Sequence, residues 1–156
     1  AVYWDVGAGT GSVSVELALL APRSQVYAVE YKGEACALIR ANRERFGAYN
    51  LEVAEGRAPA ALAELPAPDG VFIGGSEGEL IPILEAALSR NPAARFCVTA
   101  IAVETLGVAV AAFTQLEMSP QITQITVARS RRAGERNLML GQNPVWIVTG
   151  QKEALL

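Results

Sequence analysis

A chain of 156 residues that is 51% hydrophobic is long enough for one domain with a real core and too apolar to be disordered. Its net charge of −3 argues against a general nucleic-acid surface, and no apolar run reaches the roughly 18 residues that a membrane span needs. The absence of histidine excludes histidine acid–base catalysis and most zinc sites, so we expect no metal centre.

The first predicted element is a short apolar strand, Val2 to Val6, followed by glycines at every second position and then by a helix. The glycines, Gly7, Gly9 and Gly11, allow a sharp backbone turn, and the free N–H groups at the helix start then point at whatever fills the crevice. The helix side chains expected to face the sheet are Val13, Val15, Leu17, Leu19 and Leu20. The pattern predicts a ligand-binding turn; the alternative is a turn with a purely structural role.

The glycine spacing separates two cofactor classes. A dinucleotide fingerprint is G-x-G-x-x-G, but here its third glycine position holds Ser12. Asp5, two residues before the first glycine, would favour a cationic ligand and not a diphosphate. The run D-x-G-x-G-x-G therefore resembles motif I of the class I S-adenosylmethionine (SAM) methyltransferases, whose cofactor carries a sulfonium and an ammonium group.

The second predicted strand, Gln25 to Glu30, ends in a carboxylate. An acid at this position, roughly twenty residues beyond the glycines, can accept hydrogen bonds from ribose hydroxyls. NAD enzymes and SAM enzymes both use this arrangement, so Glu30 supports a nucleoside ligand without choosing between them. The alternative is an ordinary exposed glutamate at a strand end.

The next segments predict a helix over Gly33 to Phe46, a third strand over Asn50 to Ala54, and a short alanine-rich helix that ends at Leu65. The helix residues expected to face inward are Cys36, Leu38, Ile39 and Phe46. We interpret Cys36 and Cys97 as reduced, buried packing residues of a cytoplasmic protein. The loop that follows the third strand, residues 55–59, would lie beside the first crevice and close over an adenine.

A fourth strand, Asp69 to Gly75, runs into Gly74, Gly75 and Ser76, where the paired glycines indicate close approach of a ligand or of the next helix. That helix is predicted over Glu77 to Leu88. A fifth strand over Arg95 to Ile101 and a helix over Val103 to Leu116 follow.

The last two strands are expected to pair without a crossover helix. Ile122 to Ala128 alternates apolar and polar residues, which suits an edge strand, and Val145 to Thr149 is apolar again. A strand reached without a helix should run antiparallel to its neighbour. The domain would then occupy residues 1–150, with Gln151 to Leu156 as a tail.

The stretch between those strands, Arg129 to Gln142, is predicted to be a long basic loop. It contains Arg129, Arg131, Arg132 and Arg136 in an otherwise acidic protein. Clustered guanidinium groups suit carboxylate or phosphate ligands. A solvated basic loop is the alternative.

The whole chain resembles the decarboxylating precorrin methyltransferases of cobalamin biosynthesis: the carbon-15 methyltransferase and the C-terminal domain of precorrin-6Y methyltransferase. The resemblance rests on short motifs in a fixed order. They are Asp5 to Gly11, Val29-Glu30, Gly56-Arg57-Ala58-Pro59, Gly74-Gly75-Ser76, Glu79-Leu80, Thr99-Ala100-Ile101, Glu104-Thr105, Ala128-Arg129 and Asn143-Pro144-Val145.

This resemblance implies an α/β fold of the class I SAM methyltransferase type, Rossmann-like, with a seven-stranded, mostly parallel sheet and an antiparallel final strand. It implies SAM as cofactor and a polycarboxylate tetrapyrrole, a precorrin, as substrate, with methylation at carbon 15 and decarboxylation of the C12 acetate. The implied cofactor-binding residues are Asp5, Gly7, Gly9, Thr10, Gly11, Glu30, Arg57, Ala58 and Gly74. The implied substrate-binding residues are Arg129, Arg131, Gly75 and Ser76.

The resemblance also implies a homo-oligomer and, since the chain opens inside a strand without methionine, an N-terminal tetrapyrrole methylase domain in the full-length polypeptide; a truncated stand-alone enzyme is the alternative. No nucleic-acid or membrane partner is expected.

One position departs from the family pattern. Many such enzymes have an acidic residue after the glycine of the third-strand loop, where this chain has Arg57. Adenine contact would then rely on backbone groups around Ala58.

The candidates for acid–base roles are Glu104 and Glu79, near the carboxyl ends of strands, with Thr99 as a third catalytic candidate. Carboxylates favoured at helix starts by the helix dipole are the alternative for both glutamates. Three other functions stay open: a methyltransferase of the same fold that acts on RNA or a small molecule, a noncatalytic SAM-binding module, and a nicotinamide dehydrogenase. The last is disfavoured by Asp5 and Ser12.

Overall fold

Strands and helices alternate over most of the chain in the computed structural model, which describes residues 1–153. Residues 154–156, at the end of the predicted tail, lie outside the described residues. The strands are β1 Val2–Val6, β2 Gln25–Glu30, β3 Leu51–Glu55, β4 Gly70–Ile73, β5 Arg95–Ala100, β6 Gln121–Ile125, β7 Ala128–Ala133, β8 Arg136–Gly141 and β9 Val145–Gly150. The helices are α1 Ser12–Leu20, α2 Gly33–Phe46, α3 Leu80–Arg90 and α4 Val103–Gln115.

Seven strands form one sheet in the order β3-β2-β1-β4-β5-β9-β6. All neighbours pair in parallel except β9, which lies between β5 and β6 and runs antiparallel to both. The predicted seven-stranded sheet with an antiparallel final strand is therefore confirmed, and β6 is the edge strand that its alternating residues predicted. The parallel order brings the carboxyl ends of β3, β2, β1 and β4 to one edge of the sheet.

The two faces of the sheet carry separate cores. On one face, strand residues such as Trp4, Ile73 and Val98 pack with side chains of α3 and α4, including Leu84 and Phe113. On the other face, α1 and α2 cover the β1 to β3 half with a smaller cluster. That cluster contains Val15, Ala18, Val26, Ala28, Ile39, Ala48 and Leu51.

The prediction of which α1 and α2 side chains face the core is partly wrong. Val15 and Ala18, three residues apart, point into the core, and Leu20, two residues further along α1, is 80% exposed. On α2, Cys36 and Ile39 are buried. The side chains that were expected inside but are exposed are Leu19, Leu20, Leu38 and Phe46. Each residue turns a helix by about 100°, so a face recurs every three or four positions and cannot include all the apolar residues of a run.

Several predicted helix and strand segments are shorter in the structure than expected, among them the fourth strand, which was predicted over Asp69 to Gly75 and spans Gly70–Ile73. The alanine-rich helix before Leu65 is a single 3-10 turn, Ala60–Leu62. Helix α3 begins at Leu80 and not at Glu77, since Glu77 and Gly78 both have positive φ values and cannot be helical. The strand predicted over Ile122 to Ala128 ends at Ile125, and a new strand begins at Ala128. Lys152, in the predicted tail, forms a bridge with Met118.

The predicted basic loop is instead a two-stranded antiparallel hairpin, which we call the β-arm: β7 and β8, residues 128–141. Ala133 pairs with Arg136, so Gly134 and Glu135 form a two-residue turn with a positive φ at the glycine. Every residue of the two strands is exposed. Gly134, between two segments of strand length, was the signal in the sequence that could have indicated the turn.

No helix within residues 1–153 is long and apolar enough to cross a lipid bilayer.

Candidate functional site

A cavity of about 800 Å³ lies at the carboxyl ends of β1, β2, β3 and β4. This is where an open parallel sheet places its ligands, because the strand order reverses direction at β1. Most of the predicted cofactor residues line this cavity together with three of the predicted substrate or catalytic residues. They are Gly7, Gly9, Thr10, Glu30, Arg57 and Ala58, with Gly75, Ser76 and Glu79.

The glycine turn forms one wall of the cavity, and two of its glycines are required for different reasons. Gly7 has φ +71, and a Cβ there would lie 2.4 Å from the carbonyl oxygen of Gly75, so the turn packs directly on the loop after β4. Gly9 has φ +57, and a Cβ there would meet nothing within 4 Å. Gly9 therefore leaves open space in the cavity, into which a ligand can approach the backbone.

The carboxylate of Glu30, buried at the end of β2, accepts three backbone hydrogen bonds. Its Oε2 accepts from the N–H of Gly9 at 2.8 Å, and its Oε1 accepts from those of Tyr31 and Lys32, each at 3.1 Å. A carboxylate offers about four lone-pair positions, so one remains free, on Oε2. Glu30 thus holds the glycine turn in place and keeps one acceptor position for a ligand hydroxyl.

Asp5 lies behind the cavity wall and does not line it. The side chain is buried in β1, where the Ser14 hydroxyl of α1 donates a 2.5 Å hydrogen bond to its Oδ2. Burial raises the pKa of Asp5 to about 6, a rise that the bonds from Ser14 oppose and the charge of Glu30 assists. Asp5 therefore ties β1 to α1 under the turn and does not reach the cavity.

We expect Asp5 to lower wild-type stability by about 3 kcal/mol as the pH rises from 4 through 6, and the Asp5→Asn variant to lack this contribution. A carboxyl with a raised folded-state pKa holds its proton in the folded protein and loses it in the unfolded chain over this range. Chemical denaturation at several pH values measures the effect. Glu16→Gln, an exposed position on α1, is the control and should keep the wild-type slope. A parallel pH profile for Asp5→Asn would contradict the assignment.

The loops after β2, β3 and β4 meet at the mouth of the cavity. The guanidinium of Arg57 stacks on the ring of Tyr31, with 3.9 Å from its Cζ to the ring centroid, and bonds to Glu77 at 2.5 Å. Lys32 lies over the same ring at 5.6 Å. Sequence reasoning missed Tyr31, Lys32 and Glu77. Each lies within two residues of a strand end or glycine pair already assigned to the site, and that position was the available signal.

The other predicted site residues lie outside the cavity lining. Gly11 is the N-cap residue of α1. The backbone N–H of Gly74 donates a hydrogen bond to the carbonyl oxygen of Val6, the last residue of β1. Thr99 is half-buried in β5, opposite Ile147, and Glu104 is exposed in the first turn of α4. Both come near the carboxyl end of β5, on the same sheet edge as the cavity. Arg129 and Arg131 lie on the β-arm.

A second cavity, of about 750 Å³, lies over β1, β4, β5 and β9, on the face of the sheet that α1 and α2 partly cover. Its walls include Tyr3, Phe72, Cys97 and Thr149, which alternate along their strands with the buried core residues. Cys97 is thus half-exposed on this sheet face and is not the buried residue that we expected, whereas Cys36 is buried. The glycine turn and Glu30 do not line this cavity, so we assign the ligand site to the first one.

Comparison with known proteins gives a consistent result. A family model described as a precorrin methyltransferase domain matches residues 1–152. A probable cobalt-precorrin-6B C(15)-methyltransferase (decarboxylating) from Pyrobaculum calidifontis is 44% identical over 150 residues, which is 95% of this chain and 77% of the relative. The crystal structure of precorrin-6Y C5,15-methyltransferase from Geobacter metallireducens superimposes with a TM-score of 0.90 at 35% identity, over 97% of this chain and 79% of that one.

A more distant match concerns the fold alone. A SAM-dependent O-methyltransferase from Thermotoga maritima has a TM-score of 0.76 at 13% identity, over 99% of this chain and 60% of that chain. The strand order and the antiparallel β9 therefore confirm the class I SAM methyltransferase fold that was predicted. With a family model that spans nearly all of the sequence, the chain belongs to the precorrin methyltransferase family.

Proposed function

We propose that this protein is a SAM-dependent methyltransferase that methylates carbon 15 of a precorrin and removes carbon dioxide from the C12 acetate side chain. The observation that carries the proposal is the cavity at the switch point of the sheet, where the glycine turn and Glu30 meet in a chain of this family. The name of the Pyrobaculum relative gives carbon-15 methylation and a decarboxylation for that protein. The family match supports the same pair of reactions here.

The residues of the cavity fit SAM in three respects. The open side of Gly9 admits a ligand against the backbone, and the free lone pair of Glu30 can accept a hydrogen bond from a ribose hydroxyl. The buried carboxylates of Asp5 and Glu30 supply negative charge close to the turn, which favours a cationic ligand over a diphosphate. When bound, SAM supplies the methyl group. Gly7, Thr10 and Ala58 would complete the pocket around it.

The substrate would lie against the loop after β4, where Gly75, Ser76 and Glu79 line the same cavity. Methyl transfer to an electron-rich ring carbon depends mainly on the relative position of the two reactants, which a preformed crevice provides. Loss of carbon dioxide leaves an electron pair that is delocalised into the conjugated ring, and the side-chain carbon that carried the carboxylate must then gain a proton. Glu79 is our candidate for handling that proton, because it is the catalytic candidate that reaches the cavity. Glu104 and Thr99 stay predictions from the sequence.

Mass spectrometry of a precorrin incubated with this protein and SAM tests the proposal. We expect one product that has gained a methyl group and lost carbon dioxide. A product that is methylated without loss of carbon dioxide would reduce the proposal to the first reaction. No change of mass in the precorrin, with methyl transfer to RNA in a parallel incubation, would contradict the proposal.

We also propose that the chain forms a homo-oligomer through the β-arm. An isolated two-stranded hairpin is marginally stable in water, and both strands of the arm are exposed along their whole length. The apolar residues Leu138 and Leu140 stand opposite Arg131 and Arg129 in the register. Exposed strand edges and apolar side chains of this kind are suited to pairing with a second copy. Arg129 and Arg131 stay predictions as substrate ligands.

The double variant Leu138→Lys with Leu140→Lys should shift the protein from oligomer to monomer, because each new positive charge lies opposite an arginine and would be buried at the interface without an opposite charge. Sedimentation velocity measures the shift. Met139→Ser is the control, since Met139 alternates with both leucines and faces the other side of the arm. A monomeric wild type, or a double variant that still associates like wild type, would contradict the assembly proposal.

A further inference from the structure

The ion pair between Arg57 and Glu77 crosses the mouth of the cofactor cavity. Arg57 follows β3 and Glu77 follows β4, and in the sheet these strands are separated by β2 and β1. With neighbouring strands about 4.8 Å apart, β3 and β4 lie roughly 14 Å apart. The pair must therefore extend over the carboxyl ends of β2 and β1, the strands that carry Glu30 and the glycine turn. We call it the Arg57–Glu77 bridge.

The bridge is part of a small basic rim on the aromatic ring of Tyr31. Arg57 stacks on this ring and Lys32 lies over it, and these are the two basic side chains among the described residues that line the cavity. An anion that binds at the cavity therefore meets its positive charges here. A guanidinium held flat on an aromatic ring keeps its N–H edge free to bind a carboxylate.

Glu77 is a weak partner for Arg57. The two side chains are 52% and 64% exposed, and exposed ion pairs of this kind contribute little to stability. Glu77 also has φ +49, a left-handed conformation that costs energy for any residue with a Cβ. A hydrogen bond from the Tyr31 side chain, followed by the positive charge of Arg57, lowers the pKa of Glu77. At neutral pH the Glu77 carboxylate thus competes with other anions for Arg57, but another carboxylate can displace it with little loss of free energy.

We propose that Arg57 binds a carboxylate of the tetrapyrrole substrate, and that Glu77 occupies the guanidinium until the substrate carboxylate replaces it. The inference rests on the proposed function, which supplies a substrate that carries several carboxylates. It makes Arg57 a specificity-determining residue for acidic substrates. When the substrate binds, the contact between Arg57 and Glu77 is lost, and the glycine turn and Glu30 stay in place.

The test is a binding titration with uroporphyrin, a stable tetrapyrrole that carries acetate and propionate groups, at saturating S-adenosylhomocysteine. Fluorescence of the porphyrin reports its affinity. Glu77→Gln should tighten binding about two- to fivefold, because the internal competitor loses its charge. Arg57→Gln should weaken binding about tenfold or more, because a charge-assisted hydrogen bond is lost. In the Arg57→Gln background, Glu77→Gln should have no further effect.

A matched control exists outside the cavity. Glu55→Gln releases Arg40, which belongs to a similarly exposed ion pair, and neither residue lines the cavity. This variant should leave the porphyrin affinity unchanged. Calorimetry with S-adenosylhomocysteine, measured separately for each variant, identifies any effect on the cofactor.

The inference is overturned if Glu77→Gln leaves porphyrin binding unchanged or weakens it, or if Arg57→Gln has no effect on that binding. A change confined to S-adenosylhomocysteine affinity would overturn it too, since the bridge would then serve to enclose the cofactor. These outcomes are distinct from a failure of the proposed function, because the porphyrin titration measures binding without turnover and the precorrin assay measures methylation in the wild type.

Discussion

The Glu30→Ala variant is expected to bind SAM at least about tenfold more weakly than wild type and to lose about 2 kcal/mol of stability. The affinity falls because a charge-assisted hydrogen bond to a ribose hydroxyl contributes about 1.5 to 3 kcal/mol. The stability falls because the N–H groups of Gly9, Tyr31 and Lys32 all lose their acceptor. The structure thus adds a folding role to a residue whose sequence position indicated only ligand binding.

A comparison with Glu30→Gln separates the two roles. Glutamine keeps one acceptor oxygen for the backbone but places an NH₂ group against other N–H donors, so its stability should lie between those of wild type and Glu30→Ala. Calorimetry with SAM and thermal unfolding without it give the two quantities. Unchanged SAM affinity in Glu30→Ala, or NAD binding in place of SAM, would contradict the cofactor assignment.

The Gly9→Ala variant is expected to lose about tenfold or more of its SAM affinity at a stability cost of only about 1 kcal/mol. The methyl group would enter the open space beside the turn, where the cofactor should approach the backbone, and an overpacked contact typically costs about 1 to 3 kcal/mol. The stability cost is that of a left-handed alanine, since a Cβ at Gly9 meets no protein atom within 4 Å.

Gly7→Ala provides the contrast. Its Cβ would lie within 3 Å of three backbone atoms of Gly75, so this variant should lose about 3 kcal/mol or more of stability as well as SAM binding. Denaturant unfolding of both variants, followed by calorimetry on the folded fraction, measures the difference. If Gly9→Ala binds SAM as tightly as wild type, the open side of the turn is not the cofactor site.

The relative directions of the strands could be predicted because they follow from short-range rules. Continuous apolar strands separated by helical segments lead to a parallel sheet, and a final strand reached without a helix must be antiparallel. The position of Glu30 at the end of β2 and of the glycines after β1 then placed them at the same sheet edge. The β-arm was missed because its strands contain arginine and serine, and their pairing depends on the turn at Gly134.

The sequence by itself determined the sheet, the glycine turn, the acid at the end of β2 and the family, since each depends on residue types at fixed spacing along the chain. Only the tertiary structure decided which of the candidate residues meet. Glu79 and Arg57 reach the cavity, but Thr99, Glu104 and the arginines of the β-arm lie outside its lining. The Arg57–Glu77 bridge joins loops that are 20 residues apart and follow strands that are not neighbours in the sheet. Such contacts depend on how far each loop extends and which way it turns, and side-chain packing in three dimensions sets both.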